Sequence, residues 1–357
     1  MPTPLVVHIM TATLAPGDAI GNYIMTLKGL LTELGCRVRL YADHVAPRYR
    51  LQAYPSAAYR PTGQDVLWYH YSIYADNLAL VESSTDYRIM DFHGVSPPRL
   101  FTGYNPHLER LCRLGIDALP RFRGHFDLCV VHSEYSRQVL QDHGFDHIEK
   151  LPLIVDAARY DGRQDEVLSA WLSQLPYLLF VGRIVPQKDI LALLDLFAHL
   201  CSRRPEVALL LVGGRDLVPA YQREIDLAVE RMELDRRVLF AGHVVDPALL
   251  ASFFRYARFT VVTSEWESFC VPLVESMFFE TPVVIHRVPP LPEVAGDAGL
   301  VIDKHDPGAA AELIDATWAD DHARARLQRA CRRRARHFTT DSLRAQLLEM
   351  LRRVFAR

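Results

Sequence analysis

The sequence predicts an α/β protein made of two doubly wound parallel-sheet domains facing a central cleft, and three observations carry that prediction. Short apolar runs alternate with longer amphipathic stretches in both halves of the chain, the pattern of strands joined by covering helices. The alternation restarts after a polar interval, Asp156 to Ser173, which follows Leu151-Pro152-Leu153 and reads as a linker. The length, 357 residues, is about twice what one domain of ~150 residues needs.

In the first half the apolar runs predict strands over Val6 to Met10, Arg37 to Ala42, Val66 to Tyr71, Tyr87 to Phe92 and Leu128 to His132. In the second half they predict strands over Tyr177 to Val181, Val207 to Val212, Val238 to Ala241, Phe259 to Thr263, Pro282 to Ile285 and Leu300 to Ile302. Helical periodicity fills intervals such as Ile190 to Ser202, Ala220 to Met232 and Pro247 to Tyr256. Ligands in such sheets bind outside the carboxyl ends of the strands, so the loops there are where chemistry is sought.

Composition removes several classes of function. A charge of -3 from 40 basic and 43 acidic residues lacks the basic excess of a nucleic-acid binder. No apolar stretch reaches the ~20 residues of a membrane span. The six cysteines form no C-x-x-C pair, so neither a zinc knuckle nor a redox dithiol is expected. The first residues carry no basic segment before their apolar run, which reads as a strand and not as a signal peptide, and the expected location is cytoplasmic. No two glycines stand two apart, which excludes G-x-G-x-x-G, and neither G-x-x-x-x-G-K-[ST] nor H-E-x-x-H occurs. No two aspartates stand two apart either, so there is no D-x-D to hold a divalent metal, and a bound diphosphate must be neutralised by Arg, Lys and helix ends.

The strongest motif lies between two predicted strands, from Ser264 to Pro282. Pro272 suits the first position of a helix, where its missing N–H is no loss. The backbone N–H groups of Phe269, Cys270 and Val271 then sit at a positive helix end, an anion site. Glu275 falls in the first turn and Glu267 in the preceding loop. Read alone, the two glutamates serve equally well as caps that suit the helix dipole.

Glu267-Ser268-Phe269-Cys270-Val271-Pro272-Leu273-Val274-Glu275 resembles the E-x-[FY]-G-x-P-x-x-E signature of glycosyltransferase family 4, with Cys270 in place of the usual glycine. Thr281-Pro282-Val283-Val284 and Leu291 to Gly299 resemble that family's G-x-P-V-V and P-E-V-v-G-d-A-g stretches. Gly182-Arg183-Ile184-Val185-Pro186-Gln187-Lys188 is similar to its diphosphate-binding loop, V-G-R-l-v-p-e-K-G-i. Leu210 to Gly214 and Phe240 to Val244 resemble its v-G-x-G and F-x-G-x-v segments.

The resemblance implies a GT-B fold of two Rossmann-like domains and a retaining, metal-independent hexosyltransferase. It implies a nucleotide-diphosphate sugar as donor, UDP- or GDP-linked, no cofactor, and a sugar or lipid-linked (polysaccharide) acceptor. Arg183, Lys188, Glu267 and His93 become the expected catalytic residues. Gly182, Arg183, Lys188, Gly213, His243, Val244, Phe269, Cys270, Val271 and Glu275 become expected donor contacts, Glu275 on the ribose and the loop after Gly242 near the base. Gly17, Asp18 and Gly21 follow the first strand and open a helix that Asp18 caps. By resemblance this loop faces the donor, although it departs from the family's Gly-Gly pair. His93 ends a strand, and the resemblance makes it a contact to the donor sugar. The aromatic run Trp68 to Tyr71 fits an acceptor-stacking surface and core packing equally well.

The expected domains are 1–160 on the acceptor side, 161–335 on the nucleotide-sugar side, and a C-terminal helix over 336–357 packing back toward the first. Charge sums of -1 over 1–160, -10 over 161–320 and +8 over 321–357 single out the last segment. It reads either as a packed helix with a solvated basic face or as a peripheral contact with an anionic membrane at its inner face. Two other functions fit the same residues: a nucleotide-sugar epimerase or phosphorylase of this architecture, and a catalytically degenerate sugar-nucleotide-binding partner subunit.

Overall fold

Fully apolar runs in this chain become strands buried on both faces, as parallel sheets require. The computed structural model describes residues 4–355 apart from 154 and 161. Asp161 of the expected linker, the first three residues and the last two lie outside the described residues. The first sheet comprises β1 (Val6–Leu14), β2 (Arg37–Val45), β3 (Ala53–Pro55), β4 (Val66–Tyr71), β5 (Tyr87–Phe92), β6 (Leu128–Val131) and β7 (Ile148–Lys150). Its order is β3-β2-β1-β4-β5-β6-β7, with every pairing parallel. The second comprises β8 (Tyr177–Val181), β9 (Ala208–Val212), β10 (Val238–Gly242), β11 (Phe259–Val262), β12 (Val283–His286) and β13 (Gly299–Ile302), in the order β10-β9-β8-β11-β12-β13. Chain order reverses beside β1 in one sheet and beside β8 in the other, the switch points at which doubly wound sheets take ligands.

The chain divides into two units. One contains residues 4–99, 106–153 and 340–355; the other contains 100–105 and 155–339. The structure therefore gives the segment 100–105 to the second unit, where Tyr104 donates to Glu224 at 2.8 Å. The helix Thr340–Phe355 belongs to the first unit, burying Leu343, Leu347 and Met350 and pairing Arg344 with Glu33 and Arg353 with Glu149.

β4 reads Val-Leu-Trp-Tyr-His-Tyr and is buried at every position. Trp68, Tyr69 and Tyr71 are thus core residues, and the acceptor-stacking reading of this run is corrected: a ring sealed on both faces cannot stack on a sugar. In the second unit, leucines and isoleucines of the helix Ile190–Arg203 pack on β8, β9 and β11. The short edge strands β3 and β7, three residues each, carry too few residues to show a period.

Candidate functional site

In the second unit the carboxyl ends of β8, β9 and β10 are drawn together by their backbone. Gly182 N–H donates to Val212 O, Gly213 N–H to Gly242 O at 2.8 Å, and Ile184 N–H to Gly214 O. A Cβ on Gly213 would lie 1.7 Å from Gly182 O, so no other residue fits this crossing. The arrangement seats the loop that carries Arg183 and Lys188. Arg183 is exposed and, among the described residues, its guanidinium has no hydrogen-bond or ion-pair partner. His243 is exposed and Val244 half-buried on the loop after β10.

A second loop, between β11 and the helix Val271–Phe278, lies against the first. Lys188 Nζ donates to Glu267 Oε1 at 2.5 Å, and Ser264 Oγ donates to the same oxygen at 2.7 Å. Backbone and side chains add Glu265 N–H to Gln187 O, Gln187 Nε2 to Trp266 O, and Thr263 Oγ1 to Asp189 O. Lys188 and Glu267 are thus partners of each other, where the sequence motifs gave each a separate ligand contact.

The helix itself begins at Val271, with Pro272 second, so Glu275 is its fifth residue and falls just beyond the first turn. Cys270, the N-cap, holds φ 81° and ψ 77°, a left-handed conformation that costs a β-carbon about 1–2 kcal/mol. This is the position where the family signature has glycine, and the dihedral gives the reason. Burial pushes the Cys270 thiol up, with the Glu267 charge adding to it. Glu275 is buried, and Tyr160 OH donates to its Oε1 at 2.5 Å. Burial raises its carboxyl above the usual range, opposed in part by the Arg159 charge and the Tyr160 hydrogen bond.

In the first unit Asp18 caps the helix Ala19–Glu33, its carboxylate accepting from Gly21 N–H at 3.1 Å. Gly17 turns the chain at φ 75°. A Cβ on Gly21 would approach Ala15 O to 2.7 Å, so this glycine has a packing reason of its own.

His93 lies one residue past β5 and is buried with Asp91, His70 and His132. Trp68 Nε1 and Tyr23 OH both donate to Asp91 Oδ2, at 2.9 and 3.1 Å. His132 Nε2 lies 2.8 Å and His93 Nε2 3.4 Å from Oδ1. His70 Nδ1 and His93 Nε2 share one hydrogen bond at 2.8 Å, their rings inclined by only 19°. Burial works to raise the Asp91 carboxyl, but the three facing imidazoles outweigh it and hold the group well below the carboxylate range. Burial pushes His70 down to about 4 and His93 well below the ordinary imidazole value.

Three groups bring prospective metal-ligand atoms within 4.8 Å of one another: His70, Asp91 and His93; His286, Asp303 and His305; His8, Asp65 and Asp86. In the first, the ring nitrogens already bond to each other. In the third, Asp86 accepts from Tyr59 OH and from the N–H groups of Thr62 and Gly63.

Comparison with known proteins now bears on this geometry. Residues 167–337 match the family model described as "Glycosyl transferases group 1". The matched residues lie wholly within the second unit. Over 177 residues the chain is 34% identical to D-inositol 3-phosphate glycosyltransferase of Xylanimonas cellulosilytica, a match that covers 49% of this chain and 42% of that protein. The chain thus spans less than half the length of that relative. The fold resembles sucrose-phosphate synthase from Thermosynechococcus elongatus, with TM-score 0.78 at 19% identity over 99% of both chains. It also resembles Anabaena HepE, solved in complex with UDP-glucose, with TM-score 0.77 at 17% identity over 97% of this chain and 99% of that one. The fold is GT-B.

Around the group 1 motifs stand residues that sequence reading missed. Tyr160 precedes the matched region and meets Glu275 only through tertiary packing. Lys304 follows β13, and a signal for it exists: of 40 basic residues only four are lysines, at 28, 150, 188 and 304. Four arginines of the basic C-terminal stretch are committed within the second unit. Arg332 pairs with Glu280, Arg333 with Asp297, Arg324 with Asp321, and Arg334 donates to the carbonyls of Val294 and Glu293. No helix among the described residues is long and apolar enough to cross a membrane.

Proposed function

We propose that this protein is a retaining glycosyltransferase that moves a hexosyl group from a nucleoside-diphosphate donor to a hydroxyl of a sugar or lipid-linked acceptor, without a metal. The observation that carries the reading is that Arg183, whose guanidinium has no partner among the described residues, and the N-terminus of the helix Val271–Phe278 stand on two loops joined to each other beyond β8 and β11. An exposed, uncommitted guanidinium and a helix N-terminus are each suited to an anionic phosphate. The UDP-glucose found with HepE supports a nucleoside-diphosphate sugar as donor.

In this reading the diphosphate is the leaving group, and the charge that grows on it as the glycosidic C–O bond breaks is the largest electrostatic demand of the reaction. Arg183 meets that charge directly. Lys188 shares its ammonium between Glu267 and the phosphate, and Glu267 accepts from sugar hydroxyls. Glu275, held by Tyr160, accepts from the ribose. His93 contacts the donor sugar, and its hydrogen bond to His70 fixes the plane of the imidazole. Gly17, Asp18 and Gly21 border the donor, while Gly182, Gly213, His243, Val244 and the 269–271 backbone line it.

The decisive experiment is a nucleotide-release assay with UDP-, GDP- and ADP-sugars. Arg183→Ala is expected to lower turnover of the accepted donor by about 10²–10³, the usual cost of removing one group that stabilises transition-state charge. Unchanged turnover would overturn the site. Donor binding that never leads to release, with any acceptor pool, would favour a sugar-nucleotide-binding partner subunit.

A further inference from the structure

The loop after β13 delivers one side chain into the second unit's site. The side chain of Lys304 is only 1% exposed, and its ammonium donates to Asp189 Oδ2 at 2.5 Å and also to Glu265. The two carboxylates sit on different loops. Asp189 ends the segment that carries Arg183 and Lys188, and Glu265 begins the one that carries Glu267 and Cys270. Asp189 has φ 46° and ψ 59°, a left-handed conformation that aspartate adopts more readily than most side chains. Its other oxygen accepts from Ala192 N–H at 3.2 Å and caps the helix Ile190–Arg203. Both oxygens are therefore used, one to start that helix and one to reach Lys304.

We propose that Lys304 is a positioning residue for the phosphate site, a buried tie that holds the 182–189 loop and the 263–270 loop in one arrangement before any ligand binds. The inference rests on the function proposed above. Its physical basis is that an ammonium taken out of water needs matching charge, so the buried Lys304 holds the half-buried Asp189 and Glu265 against it and fixes where their loops stand. The lysine touches no substrate in this account. It acts through Asp189 and Glu265, so that Arg183 and the helix N-terminus meet a diphosphate without rearranging.

Positioning and simple charge predict opposite signs for one substitution. Glu265→Gln removes a negative charge near an anion site, so a purely electrostatic contribution makes UDP, GDP or ADP bind more tightly. Loss of the tie makes the same nucleotide bind more weakly, by about tenfold, with the parent nucleoside unaffected. Dissociation constants for the three diphosphates and their nucleosides are measured on the full chain by calorimetry, alongside melting temperatures. Asp189→Asn, which keeps the helix cap, serves as the second variant. Weaker diphosphate binding in both supports the tie, and unchanged or tighter binding in both overturns it. A wild-type chain that binds none of the diphosphates fails the functional reading itself, a result separate from either.

Discussion

Both units pair charges at the carboxyl ends of their strands, yet they do so with different materials. In the first unit the charge is a carboxylate, Asp91, and its partners His70, Trp68, His93 and His132 stand on or directly beyond β4, β5 and β6. Strand pairing already sets their spacing, since His70 lies opposite Asp91 in the ladder. In the second unit the charges are two ammonium groups, Lys188 and Lys304, and their partners Glu267, Asp189 and Glu265 all sit in loops. A ladder needs no help to keep a register. Loops do need help, and cross-loop ion pairs supply it. The difference teaches that a buried charge in this chain fixes side-chain orientation in one unit and backbone placement in the other.

Asp91→Asn attacks the first arrangement and carries the largest expected effect. Removing the charge from a buried cluster built around it is expected to cost the first unit about 3 kcal/mol, measured by denaturant unfolding at neutral pH. The folded carboxyl titrates below its unfolded value, so its contribution is complete above about pH 4 and is lost as acid approaches the folded value. The gap between wild type and variant should therefore narrow below pH 4. A small gap that does not change with pH would mean that the imidazoles hold the cluster by themselves.

Glu275→Gln sharpens the contrast by separating stability from binding. The raised carboxyl contributes stability below its unfolded value and loses it as pH rises through the folded one. The glutamine variant, which still accepts from Tyr160, should thus gain on wild type as pH rises from 4 to 8. The gain is on the order of 1 kcal/mol, the scale of one buried polar group. Nucleotide affinity should move the other way, falling about tenfold if a charged acceptor to the ribose is lost. A variant that is less stable at pH 8 than at pH 4, relative to wild type, would show that the carboxylate is needed for the fold.

Cys270→Gly gives the smallest effect. Relief of the left-handed strain, about 1–2 kcal/mol, is set against lost thiol burial and the greater freedom of glycine in the unfolded chain, for a net change within about 1 kcal/mol. Thermal melts and donor affinity together decide it. A loss well beyond that range would mark the thiol as a packing element and not as a substitute for glycine.

Much of this was legible from residues alone because it depends on local chemistry. Strands such as Val66–Tyr71, Tyr87–Phe92 and Tyr177–Val181 stand where their largely apolar runs placed them. The two loops of the second unit follow from G-R-x-x-P-x-K and from E-x7-E, since each is one continuous segment. What escaped were partners supplied from elsewhere in the chain. Tyr160 is 115 residues from Glu275, Lys304 is 115 from Asp189, and Tyr23 is 68 from Asp91. Nothing in the sequence around either member of these pairs announces the other.

The sequence by itself determined the two sheets, their parallel winding and the loops that carry Arg183, Lys188, Glu267 and Glu275, because periodicity and motif spacing are properties of neighbouring residues. The need for a glycine-like backbone at position 270 was also present in the motif, by comparison with the pattern it breaks. Only the tertiary structure decided that Lys188 and Glu267 are partners, that Lys304 ties two loops from a third, and that His93 is fixed by a buried carboxylate and a second imidazole. Charge pairing acts through space, and the strand order that brings those charges together is set by the packing of the whole sheet.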